Sequence, residues 1–276
     1  MPELPEVESL RRYLVREGLP GSVFERVAVE SKPSPEKGTG AISGVDQLPG
    51  RRVERLERRG KQIAVVLDEG VLGLHMGMTG RIEVLAESEP TPRFTRVEFF
   101  LRNDTNGTKN FRMVLADPRR WGAIRVFTDL REAFAGLGPD ALDPDFTAEH
   151  FAEAVGHRKS QIKPLLLDQS LIAGVGNIYA DEALHRVGIS PARRANRISG
   201  KNLHSLYLAI RESLEHALEF ILSHPDDRGR PFIVDAHDGR MRLRRKSGAF
   251  CPRCEIPLRT KSFGGRTAYY CSNCQH

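Results

Sequence analysis

Before position 251 the chain has no cysteine, so no disulfide framework spans it. No stretch approaches the ~18–20 apolar residues of a membrane-spanning helix, and the first residues lack the basic-then-apolar shape of a secretory leader. No internal repeat or long low-complexity segment stands out, and tryptophan occurs once, at Trp121. These absences make a cytoplasmic protein with no membrane partner the expectation, in a compartment that keeps thiols reduced. What is present is an ordinary globular composition. The 276 residues are 39% hydrophobic and 28% charged, enough for two or three domains with cores of their own.

Acidic residues are scarce in one place. From Gly239 to His276 there are nine Lys and Arg against the single acid Glu255, a formal +8. The whole chain carries +6, so the remainder lies near −2. A polyanion is a reasonable partner for such a tail, although a basic end is more commonly a solvated one. This tail also carries CPRC, sixteen residues, then CSNC. Cys251, Cys254, Cys271 and Cys274 have the spacing of two zinc knuckles, which predicts one structural Zn2+ in a closed four-thiolate site with no position open to water. The intervening LRTKSFGGRTAYY reads as a β-hairpin turning at Gly264-Gly265, with Arg266 beside the tip.

The middle of the chain contains GVGNIYA, which matches a dinucleotide-binding glycine pattern. That reading needs a strand before the glycines and an acid about 20 residues on. KPLLLDQSLIA before them is partly helical in pattern, and no acid occurs between Glu182 and Glu212. The alternative is helix, glycine turn, then a second helix from near Asn177 to around Gly188, whose first-turn amides suit a phosphate. Packing alone explains the same pattern. Ser199 is placed to cap a long helix with Leu203, Leu206, Ile210, Leu214 and Leu218 on its buried face, ending before Pro225.

The first half is strand-like from Val23 to Phe127, in short runs broken by Gly, Pro and Asp, after a helix with Pro5 in its first turn and Val7, Leu10 and Leu14 as its stripe. The expected organisation is multidomain α+β. An N-terminal antiparallel β-sandwich or barrel with a flanking helix spans 1–132 and a linker 133–147. An all-helical unit spans 148–224, a connecting loop 225–240, and a C-terminal zinc-finger hairpin 241–276.

MPELPEVE at the start, GVGNIYADE in the middle and CPRC…RTAYYCSNCQH at the end occur in the order and positions of the formamidopyrimidine-DNA glycosylase family, which the chain resembles over its whole length. The resemblance implies an antiparallel β-sandwich for 1–132 and a helix–two-turn–helix DNA-binding domain for 148–224. It also implies a bifunctional DNA glycosylase/AP lyase of base excision repair, acting on double-stranded DNA with oxidised bases or abasic sites, and expected to be a monomer. Removal of Met1 would leave Pro2 as a secondary amine. An α-amine has a reference pKa of roughly 7.7–8.0, so part of it is neutral and nucleophilic near pH 7. In the family that amine attacks C1′ and forms a Schiff base, and Glu3 is the general acid/base. Lys61 matches a catalytic lysine beside the lesion phosphates. Asn177 matches the turn asparagine that holds phosphate, and Arg266 the zinc-finger arginine linked to δ-elimination. Arg158, Lys159 and Lys163 resemble a DNA-contacting basic cluster.

The damaged base must leave the stack, and Met78, Arg119 and Trp121 match the residues that fill the hole, with Trp where the family has Phe. Two further departures bear on substrate. The segment from Asp235 to Cys251 is shorter and more basic than the family's loop, and Phe94 stands where a His is usual. Oxidised purines (8-oxoguanine and formamidopyrimidines) are the lead substrates. An endonuclease VIII-like enzyme for oxidised pyrimidines or abasic sites, and a non-catalytic zinc-finger protein that binds damaged DNA, are the alternatives.

Overall fold

The computed structural model describes residues 2–30, 40–105, 108–231 and 240–276. Contacts divide the chain into two compact units. One holds Pro2, residues 6–135 and a return segment from His224; the other holds residues 3–5, 136–223 and the C-terminal stretch.

In the first unit the apolar stripe predicted near the N-terminus forms α1 (Leu4–Arg16), with Val7, Leu10 and Leu14 fully buried. Among the described residues its strands are β1 (Ser22–Val29), β2 (Ile42–Ser43), β3 (Val53–Arg59), β4 (Gln62–Leu67), β5 (Val71–His75), β6 (Arg81–Ala86), β7 (Thr95–Asn103), β8 (Lys109–Ala116) and β9 (Ala123–Phe127), followed by the short helix α2 (Leu130–Ala133). They make a sheet of order β1-β7-β8-β6 and another of order β2-β9-β5-β4-β3. Pairing is antiparallel except for the two-residue β2, which joins β9 in parallel. The side chains at alternate positions of both sheets share one core with α1. Phe24 and Phe99 meet edge to face in it, with ring centroids 5.6 Å apart. The run RVERLERRGKQIAVVLDE is two strands. It folds back at Gly60-Lys61, with Arg59 paired to Gln62, which puts Lys61 in a hairpin turn.

The second unit carries α3 (Ala148–Gly156), α4 (Ile162–Leu167), α5 (Asn177–Val187) and α6 (Gly200–Ser223), then the hairpin β10 (Arg259–Phe263) and β11 (Arg266–Tyr270). Thr147 caps α3 in a reciprocal box with His150. The Ser199 hydroxyl accepts the Asn202 amide at 3.3 Å at the start of α6, and the predicted stripe of α6 is buried along its whole length. Gly188 ends α5 in the left-handed region at φ 72°. The stretch read as a linker, 133–147, contributes Ala141 and Phe146 to this unit's core. The cysteine-bearing hairpin falls in the same unit as the helices. No helix of the described residues is long and apolar enough to cross a membrane.

One buried ion cluster fixes α1 to the Lys61 turn. Glu8 accepts from Arg11 at 2.7 and 2.9 Å, from Arg12 at 2.8 Å and from Arg58 at 3.1 Å. Arg58 also donates to the Gly60 carbonyl at 3.0 Å. Burial pushes the Glu8 carboxyl upward, but hydrogen bonds from Arg11 and Arg12 and the charges of Arg11 and Arg58 outweigh it and bring its pKa from 4.5 to about 2. A pKa depressed by folding stabilises the fold fully above the unfolded value, and the contribution disappears as pH falls through the folded value. Glu8→Gln is expected to cost roughly 2–3 kcal/mol at pH 7. In urea titrations against pH, the gap to the unsubstituted protein should narrow below pH 4.5 and close near pH 2.

Candidate active site and metal centre

The glycines of GVGN are required by what lies against them. Gly174 has φ 108°, and a Cβ there would sit 2.4 Å from the Leu4 side chain. A Cβ on Gly176 would lie 2.2–2.5 Å from the Glu3 carboxylate atoms. The Leu4 amide donates to the Gly174 carbonyl at 3.2 Å. Glu3, 2% exposed, accepts the Ile178 amide at 3.0 Å and the Tyr179 amide at 3.4 Å. The first turn of α5 therefore holds a carboxylate of the chain itself. Two of the amides that suit a phosphate, those of Ile178 and Tyr179, are taken by Glu3. The positive end of the helix favours an anion of either kind, and the glycine turn admits Glu3 to it. Pro2, one peptide bond away, is buried.

In the first unit, Lys61 is 8% exposed. Burial, then the charge of Lys61, lowers the pKa of His75, whose Nδ1 accepts the Gly77 amide at 3.3 Å. His75 was not anticipated; in HMGMTG it lies three residues before Met78, and the motif was read for its methionine. The three residues matched to a DNA wedge lie on two loops joined by Asp117. That buried carboxylate accepts the Thr79 hydroxyl at 2.6 Å and the amides of Arg119, Trp121 and Gly122 at 3.2, 2.7 and 2.6 Å. Gly77 lies so close to the Trp121 carbonyl that a Cβ would be 2.6 Å from its oxygen. Trp121 is 42% exposed and so is not a core residue; the Arg119 guanidinium lies 4.8 Å from its ring centroid. Met78, next to Gly77 in sequence, is half-buried and Arg119 is exposed.

In the second unit, Arg158 and Lys159 are exposed as expected. Lys163 is not part of a surface cluster. Its side chain is fully buried, with Nζ 2.5 Å from Asp181 Oδ1. The reason is helical register: α4 turns Ile162, Lys163, Leu165 and Leu166 inward, and an ammonium buried there requires a counter-charge. Asn177, half-exposed at the start of α5, donates to the Thr267 carbonyl at 3.0 Å. Arg266, the next residue back along β11, is exposed. Asp181 had a visible signal, an acid near the start of the helix that follows the glycine turn.

The four cysteine sulfurs lie within 4.8 Å of one another. Cys251 and Cys274 are 3.9 Å apart and Cys254 and Cys271 3.5 Å. Zn–S bonds of about 2.3 Å give a tetrahedron with edges of about 3.8 Å, so the donor set fits one zinc ion. Further groups address the thiolates. The Arg253 amide donates to Cys251 Sγ at 3.4 Å, and His185 Nε2 lies 3.3 Å from the same sulfur. Burial, then the charge of Arg253, holds His185 below its ordinary pKa, which leaves a neutral ring able to donate one N–H.

Two outcomes follow from this geometry. Gly176→Ala should displace Glu3 and destabilise the protein by roughly 1–3 kcal/mol, measured by chemical denaturation. Chelation should release one zinc per chain and make four thiols reactive to a disulfide reagent. The melting transition read by Trp121 should move little, because that residue reports a unit with its own core.

Matches to known families follow the same division. Residues 1–124 match the formamidopyrimidine-DNA glycosylase N-terminal domain, 137–224 the formamidopyrimidine-DNA glycosylase H2TH domain, and 248–276 the zinc finger found in FPG and IleRS. A formamidopyrimidine-DNA glycosylase of Pelotomaculum thermopropionicum is 37% identical over 289 residues, covering 100% of this chain and 99% of that one. The solved structure of MutM in complex with DNA containing carbocyclic 8-oxo-G superposes with a TM-score of 0.82 at 26% identity, covering 99% of each chain. The MutM protein of Thermus thermophilus gives 0.80 at 33% identity, over 99% of this chain and 98% of that one. The cysteine cluster is accordingly a structural zinc site, and the chain belongs to the formamidopyrimidine-DNA glycosylase family of DNA-repair enzymes.

Proposed function

We propose that this chain excises oxidised purines, 8-oxoguanine and formamidopyrimidines, from double-stranded DNA through a Schiff base on Pro2, and then cuts the strand by β,δ-elimination. The observation that carries the reading is Glu3, a buried carboxylate fixed by two amides of α5 one peptide bond from Pro2. A carboxylate held this way has a set direction and can take and return a proton without reorganising.

The Pro2 nitrogen attacks C1′ and the bond to the base breaks, while Glu3 protonates the opening sugar-ring oxygen. The iminium that forms acidifies the C2′ proton. Its removal breaks the C3′–O bond, and removal of the C4′ proton then breaks the C5′–O bond. Lys61, beside His75, supplies positive charge and a proton at the phosphates flanking the lesion. Met78, Arg119 and Trp121 enter the stack left by the flipped nucleotide. Asn177 and Arg266 hold its phosphates, and Arg158 and Lys159 add backbone contacts farther along the duplex.

In this reading 1–132 carries the nucleophile and the wedge, while 148–224 and 241–276 carry the phosphate contacts. The connectors are 133–147 and 225–240. The enzyme works as a monomer in the cytoplasm. Of the segment 235–251, where the family's base-closing loop falls, residues 235–239 lie outside the described residues. Phe94 is half-exposed at φ 66°, with the Arg93 guanidinium 4.6 Å from its ring centroid.

The test is borohydride trapping of the untagged protein on duplexes carrying 8-oxoguanine, a formamidopyrimidine, an oxidised pyrimidine or an abasic site. A covalent complex is expected with both oxidised purines and with abasic DNA, and should be lost in Pro2→Gly. No complex on any duplex overturns the enzyme reading, and trapping on the oxidised pyrimidine in preference to both purines overturns the substrate reading. Trp121→Ala should lower excision of an oxidised purine far more than cleavage of an abasic site, because only the former has a base to expel.

A further inference from the structure

Among the described residues the hairpin β10–β11 is a two-stranded sheet, with no strand beside one edge of β11. An unpaired edge presents alternate backbone groups that must find partners. On β11 two of these are the Thr267 carbonyl and the Tyr269 amide, and side chains take the place of a third strand. The Thr267 carbonyl accepts from Asn177 Nδ2 at 3.0 Å, Arg245 Nη2 at 3.2 Å and Lys163 Nζ at 3.4 Å. The Tyr269 amide donates to Asp181 Oδ2 at 3.0 Å. The same Asp181 oxygen accepts Arg245 Nε at 3.0 Å, and the other accepts Lys163 Nζ at 2.5 Å. The Arg245 guanidinium also lies 5.2 Å from the centroid of the Tyr269 ring.

Three of these side chains come from α4 and α5. Arg245 comes from the approach to the hairpin, a stretch itself anchored where Glu182 accepts the Arg242 and Leu243 amides at 3.3 and 3.0 Å. From outside the two helices it bridges the helix carboxylate and the strand carbonyl. Thr267 directly follows Arg266. The turn before Arg266 is Gly264-Gly265, with φ 55° and 73°, two residues with little conformational preference of their own. Arg266 pairs with Phe263 across the hairpin, and beyond that ladder its backbone is held on its C-terminal side, at the Thr267 peptide.

We propose that Arg245, braced by Asp181, is a positioning residue that aims Arg266 at the phosphate that leaves in the second elimination; this rests on the role given to Arg266 above. In that step a base takes the C4′ proton and electrons move through the conjugated iminium. The C5′–O bond breaks, and one DNA fragment leaves with a 3′-phosphate. Water then hydrolyses the iminium and frees Pro2. A misdirected Arg266 weakens charge stabilisation on that phosphate but touches neither the attack at C1′ nor the first elimination.

The experiment compares Arg245→Met, Arg245→Lys and Arg266→Ala on an abasic duplex, reading covalent trapping and the ratio of δ- to β-elimination products. Arg245→Met is expected to lower that ratio about tenfold, the scale of a modest misplacement of a catalytic group, with trapping reduced no more than about twofold. Arg245→Lys should recover part of the ratio, because an ammonium reaches one partner of the two. Zinc content of one ion per chain establishes that the hairpin is folded; should Arg245→Met fail this check, Arg245→Gln is read in its place. If Arg266→Ala lowers the ratio and the Arg245 variant does not, the positioning role is overturned while the reading of Arg266 stands. If Arg266→Ala leaves the ratio unchanged, that reading falls and the proposal falls with it.

Discussion

The constraint on which most of the site depends is a carboxylate in a place that only glycine leaves open. Glu3 occupies the volume that a Cβ on Gly176 would fill, and the first turn of α5 closes on it through the Ile178 and Tyr179 amides. From that seat the order of the second unit propagates. The start of α5 places Asn177 against Thr267, and the next inward-facing acid, Asp181, receives Lys163 and the edge of β11. A helix terminus, a glycine turn and a hairpin edge are each incomplete alone, with unpaired amides or carbonyls. Here each is completed by side chains of another element.

The same solution recurs elsewhere. Glu8 gathers Arg11, Arg12 and Arg58, and through Arg58 reaches the carbonyl before Lys61. Asp117 gathers three amides and a hydroxyl. In a chain with net positive charge, buried acids organise these clusters. A buried carboxylate with several donors is costly to disturb, since removing it strands the donors. Rigidity is thus concentrated under the groups assigned to chemistry.

Much of this was legible in the sequence, for identifiable reasons. The hairpin at Gly264-Gly265, the extent of α5, the Ser199 cap and the stripe of α6 follow local rules of turn chemistry and periodicity, and so could be read from neighbours in the chain. The cysteine spacing carried its own geometry. What could not be read were pairings between residues far apart. Lys163 has the same local context whether it faces water or Asp181, and nothing near Arg245 announces a bridge to α5. The strand-like run through Lys61 hid a two-residue turn because Gly60 was its only break. The amides of α5 were offered to a phosphate because their occupant, Glu3, lies 175 positions away from Ile178.

The loops around Asp117 have a consequence for how the protein can change. Every bond from Asp117 to the Arg119–Gly122 stretch goes to backbone, and none depends on which side chain follows. Asp117 holds position 121 by its amide and not by its ring. Evolution can therefore exchange the blade while keeping the handle: a different ring at position 121 changes the exposed surface and leaves the backbone that carries it in place. Positions 77 and 117 have no such latitude, because one is defined by a missing Cβ and the other by its four bonds. Drift in this region should be found at the tips of the loops and not at their roots.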